Sequence, residues 1–374
     1  MWSVAIRTLI ADRGKLFTAL VGVVFSIVLV NVQGGLFLGL IQKAGMLVDC
    51  GEADVWVGHR RIHNVDFPRD IPRRWVHRVR AVPGVKNAEP YLLGFTDMTL
   101  PRGGFEGVLI VGVERASRLG EAWNVVEGRP HSIVQNDGII VDVCDGDKLD
   151  YPQVGELREV GRRRARVVAQ TEGVMNFLVT PYVFTTYERA LKFLNRSADR
   201  CSYILVQLEP GANPQAVCAG IKQRLPEVEA FPKSTYSRIS VNFWMTRTGL
   251  GISFGAATLL GLFVGLVIVA QTLYALVLDR LPEYGTLKAM GATEGQVFSL
   301  LVTQALSMAT VGSALGLAVV ALMQQRFTTP KAPIVVPWWL SLGSCALVLL
   351  ICLVSALLPY IRVRKVDPVM VLQG

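Results

Sequence analysis

Four uncharged apolar runs dominate the pattern of hydrophobic and polar positions along the chain. Each is longer than the roughly 20 residues that a helix needs to cross a hydrocarbon core about 30 Å thick. Between the first and second runs lie roughly 200 residues in which short alternating or β-branched stretches are separated by Gly, Pro and Asp, as in a soluble domain. The runs are residues 16–41, 249–278, 295–325 and 332–361.

Positive charge in the short segments beside these runs predicts the orientation in the membrane. The segments before the first run, between the second and third, and after the fourth together carry eight Lys and Arg residues, whereas the segment between the third and fourth carries two. Cytoplasmic segments carry such an excess. We therefore expect both termini and the link between the second and third runs to be cytoplasmic, with the large domain outside.

This pattern predicts a membrane α-helical protein with four transmembrane helices in a 1+3 arrangement. A large α+β periplasmic domain is inserted between helices 1 and 2. We expect residues 239–278 to form one continuous helix, about 60 Å long at 1.5 Å per residue. The predicted segments are an amphipathic N-terminal helix (1–15), transmembrane helix 1 (16–41), the periplasmic domain (42–238), transmembrane helix 2 with its periplasmic extension (239–278), a cytoplasmic coupling segment (279–294), transmembrane helix 3 (295–325), a periplasmic loop (326–337), transmembrane helix 4 (338–361) and a cytoplasmic tail (362–374).

The external domain has the same order of elements near its beginning and near its end: a strand, a helix and a strand. The stretches VRAVPGVKNA and KQRLPEVEAF align without a gap, and Asn213 followed by Pro214 is typical of a helix start. We interpret these as two halves of one layered α+β module, separated by a β-rich insert. In the insert, Thr185 and Glu188 predict a capping box that begins a helix at 187–194. The predicted strands include 53–58, 86–93, 108–113, 138–143, 164–169 and 202–208, and the helices of the two halves lie at 72–82 and 214–225.

Composition agrees with a membrane protein, because 51% of the residues are hydrophobic and the mean hydropathy is +0.41. The net charge of +9 is spread among the membrane flanks and one basic stretch, GRRRAR at 161–166. Nucleic acid is excluded as a partner by the external position of this stretch. Two interpretations of it stay open: a solvated hairpin face, or a contact with acidic lipid or a partner.

Known catalytic motifs are absent from the sequence. It contains no phosphate-binding loop, nucleophile elbow or zinc-protease motif, so we predict no catalytic, cofactor-binding or metal-binding residue in this chain. The external cysteines either form one or two disulfides, whose pairing the spacing does not reveal, or are free thiols. They are Cys50, Cys144, Cys201 and Cys218.

Inside the spans, small and neutral polar residues take the place of charged ones. Glycine pairs with the small-xxx-small spacing let helices approach closely, and we favour packing within one subunit over a specific dimer face. The neutral polar side chains at membrane depth are expected to form hydrogen bonds between helices. The glycine pairs are Gly35/Gly39, Gly251/Gly255, Gly261/Gly265 and Gly312/Gly316, and the polar residues are Gln33, Gln271, Thr272, Thr303 and Gln304.

The link between the second and third runs reads RLPEYGTLKAMGAT and resembles the cytoplasmic coupling segment of the FtsX/MacB superfamily of ABC transporter permeases. The final stretch, ALLPYIRVRKVDPVMVLQG, is similar to that superfamily's closing pattern. SVNFWMTRTGLGISFG and the Pro-Glu-Tyr-Gly form of the link resemble DevC-type permeases, although Pro282 departs from the broader motif. The residues that carry the resemblance are Arg280, Glu283, Tyr284, Gly285, Leu287, Lys288, Ala289 and Gly291 in the link, and Pro359, Asp367 and Pro368 in the C-terminal motif.

The resemblance implies a homodimeric permease of the bacterial inner membrane that works by mechanotransmission. A separate cytoplasmic ABC ATPase would bind ATP and Mg and contact the link, and a periplasmic adaptor and outer-membrane channel would complete a tripartite exporter. The substrate would be lipid-like or amphipathic, taken up at the periplasmic side. Two alternatives stay open: a non-transporting FtsX-like transducer that controls a cell-wall hydrolase, and a lipoprotein-releasing permease.

Overall fold

The computed structural model describes residues 13–115, 119–135, 137–279, 286, 290, 292–357 and 360–361. The chain divides into two compact units. The external unit is Leu40–Leu250, and the membrane unit combines Met1–Gly39 with Gly251–Gly374. The predicted tail at 362–374 and nearly all of the predicted N-terminal helix at 1–15 lie outside the described residues, although Arg13 already belongs to the first described helix.

The helices, in chain order, are α1 (Arg13–Asp49), α2 (Trp75–Arg80), α3 (Gly146–Leu149), α4 (Tyr187–Phe193), α5 (Pro214–Arg224), α6 (Lys233–Arg247), α7 (Leu250–Asp279), α8 (Glu294–Phe327) and α9 (Trp338–Ser355). The strands are β1 (Val55–His59), β2 (Ile71–Pro72), β3 (Val85–Thr99), β4 (Phe105–Val113), β5 (Val125–Gly128), β6 (Gly138–Asp142), β7 (Leu157–Val160), β8 (Arg163–Thr171), β9 (Tyr182–Thr186), β10 (Arg200–Cys201), β11 (Tyr203–Leu208) and β12 (Val228–Pro232). Short 3-10 turns lie at Pro130–Val134 and Val143–Asp145.

Four helical stretches are long and apolar enough to cross a membrane, judged by length and composition. They are Leu16–Asp49, Gly251–Asp279, Glu294–Phe327 and Trp338–Ser355, and they agree with the four apolar runs of the sequence. The first of these helices continues to Asp49. The third begins with a capping box in which the Thr293 side chain accepts from the Gln296 backbone and the Gln296 side chain accepts from the Thr293 N–H.

The prediction of one continuous helix over residues 239–278 was wrong. Helix α6 ends at Arg247 and α7 begins at Leu250. Between them Gly249 has φ of +68°, a left-handed conformation that glycine adopts without steric cost and that cannot continue a helix. The uncharged run that begins at Gly249 therefore starts a new helix and does not continue α6.

One mixed ten-stranded sheet forms the body of the external unit. Its order is β12-β1-β11-β3-β4-β9-β6-β8-β5, with β7 pairing with β3 and β8, while β2 and β10 form a separate pair. Strand β4 runs parallel to β9 and β6 runs parallel to β8, and the remaining pairs are antiparallel. The strands of the two predicted halves, β1, β3, β11 and β12, thus lie side by side, and the β-rich insert extends the same sheet.

Two apolar cores cover the two faces of this sheet. Side chains alternate between faces along a strand, so Val55 and Val57 pack in one core with Ile221 of α5, whereas Trp56 packs in the other with Tyr236 of α6. Helix α5 begins as predicted, since the Asn213 side chain accepts a hydrogen bond from the Gln215 N–H and Pro214 is its first residue.

The predicted capping box at Thr185 and Glu188 is absent. Thr186 is the residue that precedes α4, and its side chain makes no capping hydrogen bond. Thr185 instead points into the sheet, where its hydroxyl donates to the Gly138 carbonyl at 2.9 Å. Because β9 pairs with its neighbouring strands, Thr185 forms a hydrogen bond within the sheet and does not cap the helix. All six cysteines, including Cys50, are free thiols, which agrees with the second of the two alternatives that the sequence left open.

Candidate coupling segment and supporting contacts

All the predicted coupling and C-terminal motif residues lie outside the described residues, so their contacts stay a prediction. They are Arg280, Glu283, Tyr284, Gly285, Leu287, Lys288, Ala289, Gly291, Pro359, Asp367 and Pro368. The structure does describe both ends of the link and two positions within it.

Within the link, the Met290 N–H donates to the Thr286 carbonyl at 2.9 Å, the spacing of an α-helical turn. Thr286 and Met290 are both exposed, and Met290 is 76% exposed. An exposed methionine offers adaptable apolar surface to a partner. These two positions have the accessibility that a docking segment needs.

The two ends of the link are held together by an apolar cluster. Val277, near the end of α7, packs with Val297, Leu300 and Leu301 in the first turns of α8. Tyr360 packs against the same cluster, and its ring lies edge-on to Phe298 with centroids 4.9 Å apart. The end of α7, the start of α8 and the residues that follow α9 therefore pack in one apolar cluster.

Glycines bring α1 close to its neighbours in the membrane unit. A Cβ placed on Gly316 of α8 would lie 2.7 Å from the Ile27 side chain, and one on Gly312 would overlap Val23. Gly261 and Gly265 of α7 make equally close approaches to α1, through Leu29 and Ser26. Gly39 closely approaches the backbone of Pro333. Packing within one subunit is thus confirmed for three of the four predicted glycine pairs, while Gly255 of the fourth has no described neighbour within 4 Å.

Asn31 is the main polar contact between membrane helices that the sequence analysis missed. Its side-chain amide donates to the Ser344 hydroxyl of α9 at 2.7 Å and to the Ile27 carbonyl at 2.8 Å. The Ser341 hydroxyl donates back to Asn31 Oδ1 at 3.3 Å. The signal was available, since Asn31 is the one asparagine within the four apolar runs.

Two of the predicted interhelical hydrogen bonds are replaced by bonds within a helix. Thr272 donates to the Ile268 carbonyl at 2.8 Å, and Thr303 donates to the Ser299 carbonyl at 2.7 Å. A threonine hydroxyl in a helix reaches the carbonyl four residues earlier, which satisfies it without a partner helix. The expectation for these two residues was therefore wrong.

In the external unit, the end of α1 is fastened to α6. The Ser237 hydroxyl donates to Asp49 Oδ2 at 2.7 Å, and the Ser240 hydroxyl donates to the Ala44 carbonyl at 2.7 Å. A side chain at Gly45 would overlap Ser237, so the two backbones lie close together here. Helices α1 and α6 are thus joined by two hydrogen bonds and a close backbone approach in the external unit.

A second contact holds α6 to the loop after β1. The Trp244 indole N–H donates to Asp66 Oδ2 at 2.9 Å, and the Trp244 ring lies 4.4 Å from that of Phe177. Burial raises the pKa of Asp66 to about 6, and the hydrogen bond from Trp244 opposes that shift. Asp66 is therefore a carboxyl group that is close to half protonated in mildly acidic surroundings.

Two domain families match this chain. The MacB-like periplasmic core domain matches residues 16–224, more than half of the sequence, and the FtsX-like permease C-terminal domain matches residues 255–368. The chain belongs to the FtsX/MacB family of ABC transporter permeases. This permease therefore combines membrane helices with an extracellular domain, and the family resemblance is confirmed, while the roles of the link and C-terminal motif residues and the DevC-type detail stay predictions.

Relatives agree with the assignment. An uncharacterized ABC transporter permease of Mycobacterium tuberculosis (strain H37Rv) is 26% identical over 362 residues, which cover 94% of this chain and 93% of the relative. The putative hemin transport system permease protein HrtB of Staphylococcus haemolyticus is 29% identical over 112 residues, and the match spans only 30% of that relative's length. Proteins with these names are membrane subunits of transporters.

Two solved structures are similar at a lower level. The periplasmic region of MacB from Actinobacillus actinomycetemcomitans has a TM-score of 0.39 at 11% identity, covering 50% of this chain and 92% of that one. The extracellular domain of the transporter YknZ from Gram-positive bacteria has a TM-score of 0.37 at 11% identity, covering 47% of this chain and 98% of that one.

Proposed function

We propose that this permease is the membrane subunit of an ATP-driven exporter that works by mechanotransmission. The observation that carries the proposal is the FtsX-like match over residues 255–368, because it spans the link, whose sequence has the residues of a coupling segment. Substrate, in this proposal, is lipid-like or amphipathic and is taken up at the periplasmic side.

The proposed assembly uses the membrane orientation that the sequence predicts and the partners that the family resemblance implies. Both termini and the link face the cytoplasm of a bacterial cell, and the external unit faces the periplasm. A separate ABC ATPase binds ATP and Mg and docks on the link, since this sequence has no phosphate-binding loop. Two copies of the permease, a periplasmic adaptor and an outer-membrane channel complete the exporter.

The break at Gly249 changes the proposed route of the movement. Helix α1 is unbroken from Arg13 to Asp49, whereas α6 and α7 are separate helices. In the external unit α1 is fastened to α6 through the Asp49 and Ala44 contacts. We therefore propose that α1, and not a continuous second helix, carries displacement of the link to the external unit.

Two bulky substitutions in the link, Glu283→Trp and Gly285→Trp, test the coupling role. Thr328→Trp, at an exposed position just after α8, is the matched control for bulk. The tagged permease is purified from its own host, and the ATPase that accompanies it is quantified by mass spectrometry together with the ATPase activity of the complex. We expect the link variants to insert normally but to lose most of the ATPase, and the control to retain it.

Unchanged ATPase recovery and activity in both link variants would refute the coupling role. The proteins that accompany the wild-type complex separate the exporter from its alternatives. An adaptor and an outer-membrane channel support export, whereas a cell-wall hydrolase in their place would make the permease a transducer.

A further inference from the structure

A basic cleft lies in the external unit beside the β7–β8 hairpin, with a volume of about 470 Å³. Six cationic side chains and two carboxylates, Asp137 and Glu188, line it, so the cleft has a formal excess of four positive charges. The three consecutive arginines of the GRRRAR stretch all contribute, which places that sequence motif at one concave site. The cationic side chains that line the cleft are Arg115, Arg162, Arg163, Arg164, Arg189 and Lys192.

The hairpin that forms one wall of the cleft is anchored to β3 and to α4. Gly161 and Arg162 form its two-residue turn with φ of +55° and +60°, the backbone of a type I′ turn. The Gly161 N–H donates to the Asp97 carbonyl at 2.9 Å, and Arg163 Nε donates to the Lys192 carbonyl at 3.3 Å. The arginines are therefore held in place by the backbone of the hairpin and do not sit on a loose loop.

Most of these cationic side chains form no strong hydrogen bond or ion pair within the described part of the protein. The side chains of Arg115, Arg162 and Lys192 make no hydrogen bond or ion pair with the part of the chain that the structure describes. Arg164 faces Asp137 at 4.0 Å, and both side chains are about half exposed, so water screens this pair. Four cationic groups are thus available at one cleft.

Arg189 has a structural role, because its side chain donates hydrogen bonds to backbone carbonyls of a neighbouring segment. Its guanidinium donates to the carbonyls of Ile133 at 2.6 Å and Gly138 at 2.9 Å. Burial lowers the pKa of Arg189, and the nearby charge of Arg115 lowers it further. Arg115 and Arg189 are therefore close enough to repel one another, and Asp137 and Glu188 offset part of this repulsion.

Thr186 adds a polar group that the fold leaves unused. Its side chain is fully buried and lines the cleft, and Oγ1 has no hydrogen-bond partner in the described structure. Buried hydroxyl groups are nearly always paired, so an exception needs an explanation. A ligand oxygen in the cleft would supply the missing partner.

We propose that this cleft binds the phosphate group of an anionic ligand. Guanidinium groups bind phosphate with paired, charge-assisted hydrogen bonds, and Lys192 adds a point charge. A solvated hairpin face would spread its arginines apart, and an acidic protein surface would reach only their exposed ends, whereas here they meet at a cavity that also contains a buried hydroxyl. The phosphate can come from a lipid headgroup or from a soluble phosphate compound. The proposal does not depend on the exporter function.

Binding to the full-length permease in uncharged detergent tests the proposal. The probes are inorganic pyrophosphate and dihexanoyl phosphatidic acid, with dihexanoyl phosphatidylcholine as the zwitterionic comparison, all measured by isothermal titration calorimetry. The variant is Arg162→Gly with Lys192→Gln. Glycine fits the left-handed φ at position 162 better than arginine does, so the turn is expected to persist. The control, Arg60→Gln with Arg61→Gln, removes the same charge at exposed positions outside the cleft.

We expect the wild type to bind pyrophosphate or phosphatidic acid and the cleft variant to bind at least about tenfold more weakly, since two charge-assisted contacts are lost. The control should stay within about twofold of the wild type. Binding of pyrophosphate indicates a soluble phosphate ligand, and binding of phosphatidic acid alone indicates a headgroup.

The proposal would be overturned if the wild type bound neither probe. This holds also if an acidic protein accompanies the wild type and is lost from the cleft variant, because the cleft would then bind a protein surface. Equal weakening in variant and control would also overturn it, since the effect would then be one of net charge. If the cleft variant does not fold, as judged by its thermal unfolding midpoint, Lys192→Gln alone decides between these outcomes.

Discussion

The external unit and the membrane unit are built by opposite uses of bulky side chains. The external unit buries most of its tyrosines, and Trp56 packs between Tyr91 and Tyr203 with ring centroids about 5.5 Å away. The membrane unit exposes bulky apolar side chains, such as Leu259 (69% exposed) and Phe263 (62% exposed), and brings helices together at glycines. In the external unit the hydrophobic effect buries apolar side chains away from water. Lipid provides no such driving force, so the membrane helices associate through close van der Waals packing.

Buried polar groups differ between the units in the same way. In the external unit the Tyr236 hydroxyl donates to the Asn64 carbonyl at 2.8 Å, and an ionisable carboxyl group, Asp66, is buried beside Trp244. In the membrane unit the buried contacts between helices use neutral groups, such as the Asn31 amide and the Ser344 hydroxyl. A domain beside water tolerates a titrating group that a membrane interior would penalise heavily.

Replacing Asp66 by Asn is expected to give the largest effect. Because burial raises the folded-state pKa of Asp66 to about 6, the folded state binds this proton more tightly than the unfolded state does. Stability is therefore lost as the pH rises from about 4 to about 6, by about 3 kcal/mol in total, and the loss is complete at pH 7. Asp66→Asn should raise stability at pH 7, because its amide oxygen still accepts from Trp244.

The thermal unfolding midpoint, measured at pH 4 and pH 7 in the same detergent, checks this prediction. The gain should be present at pH 7 and should disappear at pH 4, where the wild-type carboxyl group is also neutral. A matched control is Asp97→Asn, which removes the same charge from an exposed side chain. An equal gain at both pH values would mean that desolvation of a charge is not the cause.

Gly316→Leu is expected to have the next largest effect, in the membrane unit. The added side chain would have to displace Ile27, whose Cβ and Cγ2 both lie 2.7 Å from the position of a new Cβ. Overpacking of this kind costs about 1 to 3 kcal/mol. Gly343→Leu is the matched control, because no described atom lies within 4 Å of a Cβ at that position. A lower unfolding midpoint is expected for the first variant alone, and equal loss in both would argue against close packing as the cause.

The sequence predicted features that depend on local chemistry or on repeated spacing. Asn213 and Pro214 begin a helix as expected, because capping involves only neighbouring residues. The spacing of Gly312 and Gly316 correctly indicated a close helix contact within the chain. The four spans were predictable because each needs only a long uncharged run.

The errors arose where local and distant contacts compete. Thr185 and Thr186 are adjacent and chemically alike, and the pairing of β9 with β4, which extends through both residues, decides which one precedes the helix. At Gly249, a Thr-Gly pair after Arg247 was a visible signal for a helix end. The basic cleft was predictable only as a charged stretch, because Arg115 and Lys192 join it through the fold.

Asn31→Leu is expected to have the smallest effect. It compares the contribution of a buried polar contact in the membrane unit with that of Asp66 in the external unit. The substitution removes the hydrogen bond between the Asn31 amide and the Ser344 hydroxyl, which measures 2.7 Å. Such bonds in membrane proteins contribute about 0.6 kcal/mol on average and about 1.7 at most, because an opened helix pair finds other partners in lipid. A double-mutant cycle with Ser344→Ala, followed by the unfolding midpoint in detergent, isolates the pair. We expect a coupling free energy of about 0.6 to 1.7 kcal/mol. Coupling of 3 kcal/mol or more, roughly the size of the Asp66 effect, would show that polar groups, and not the glycine contacts, hold α1 to its neighbours.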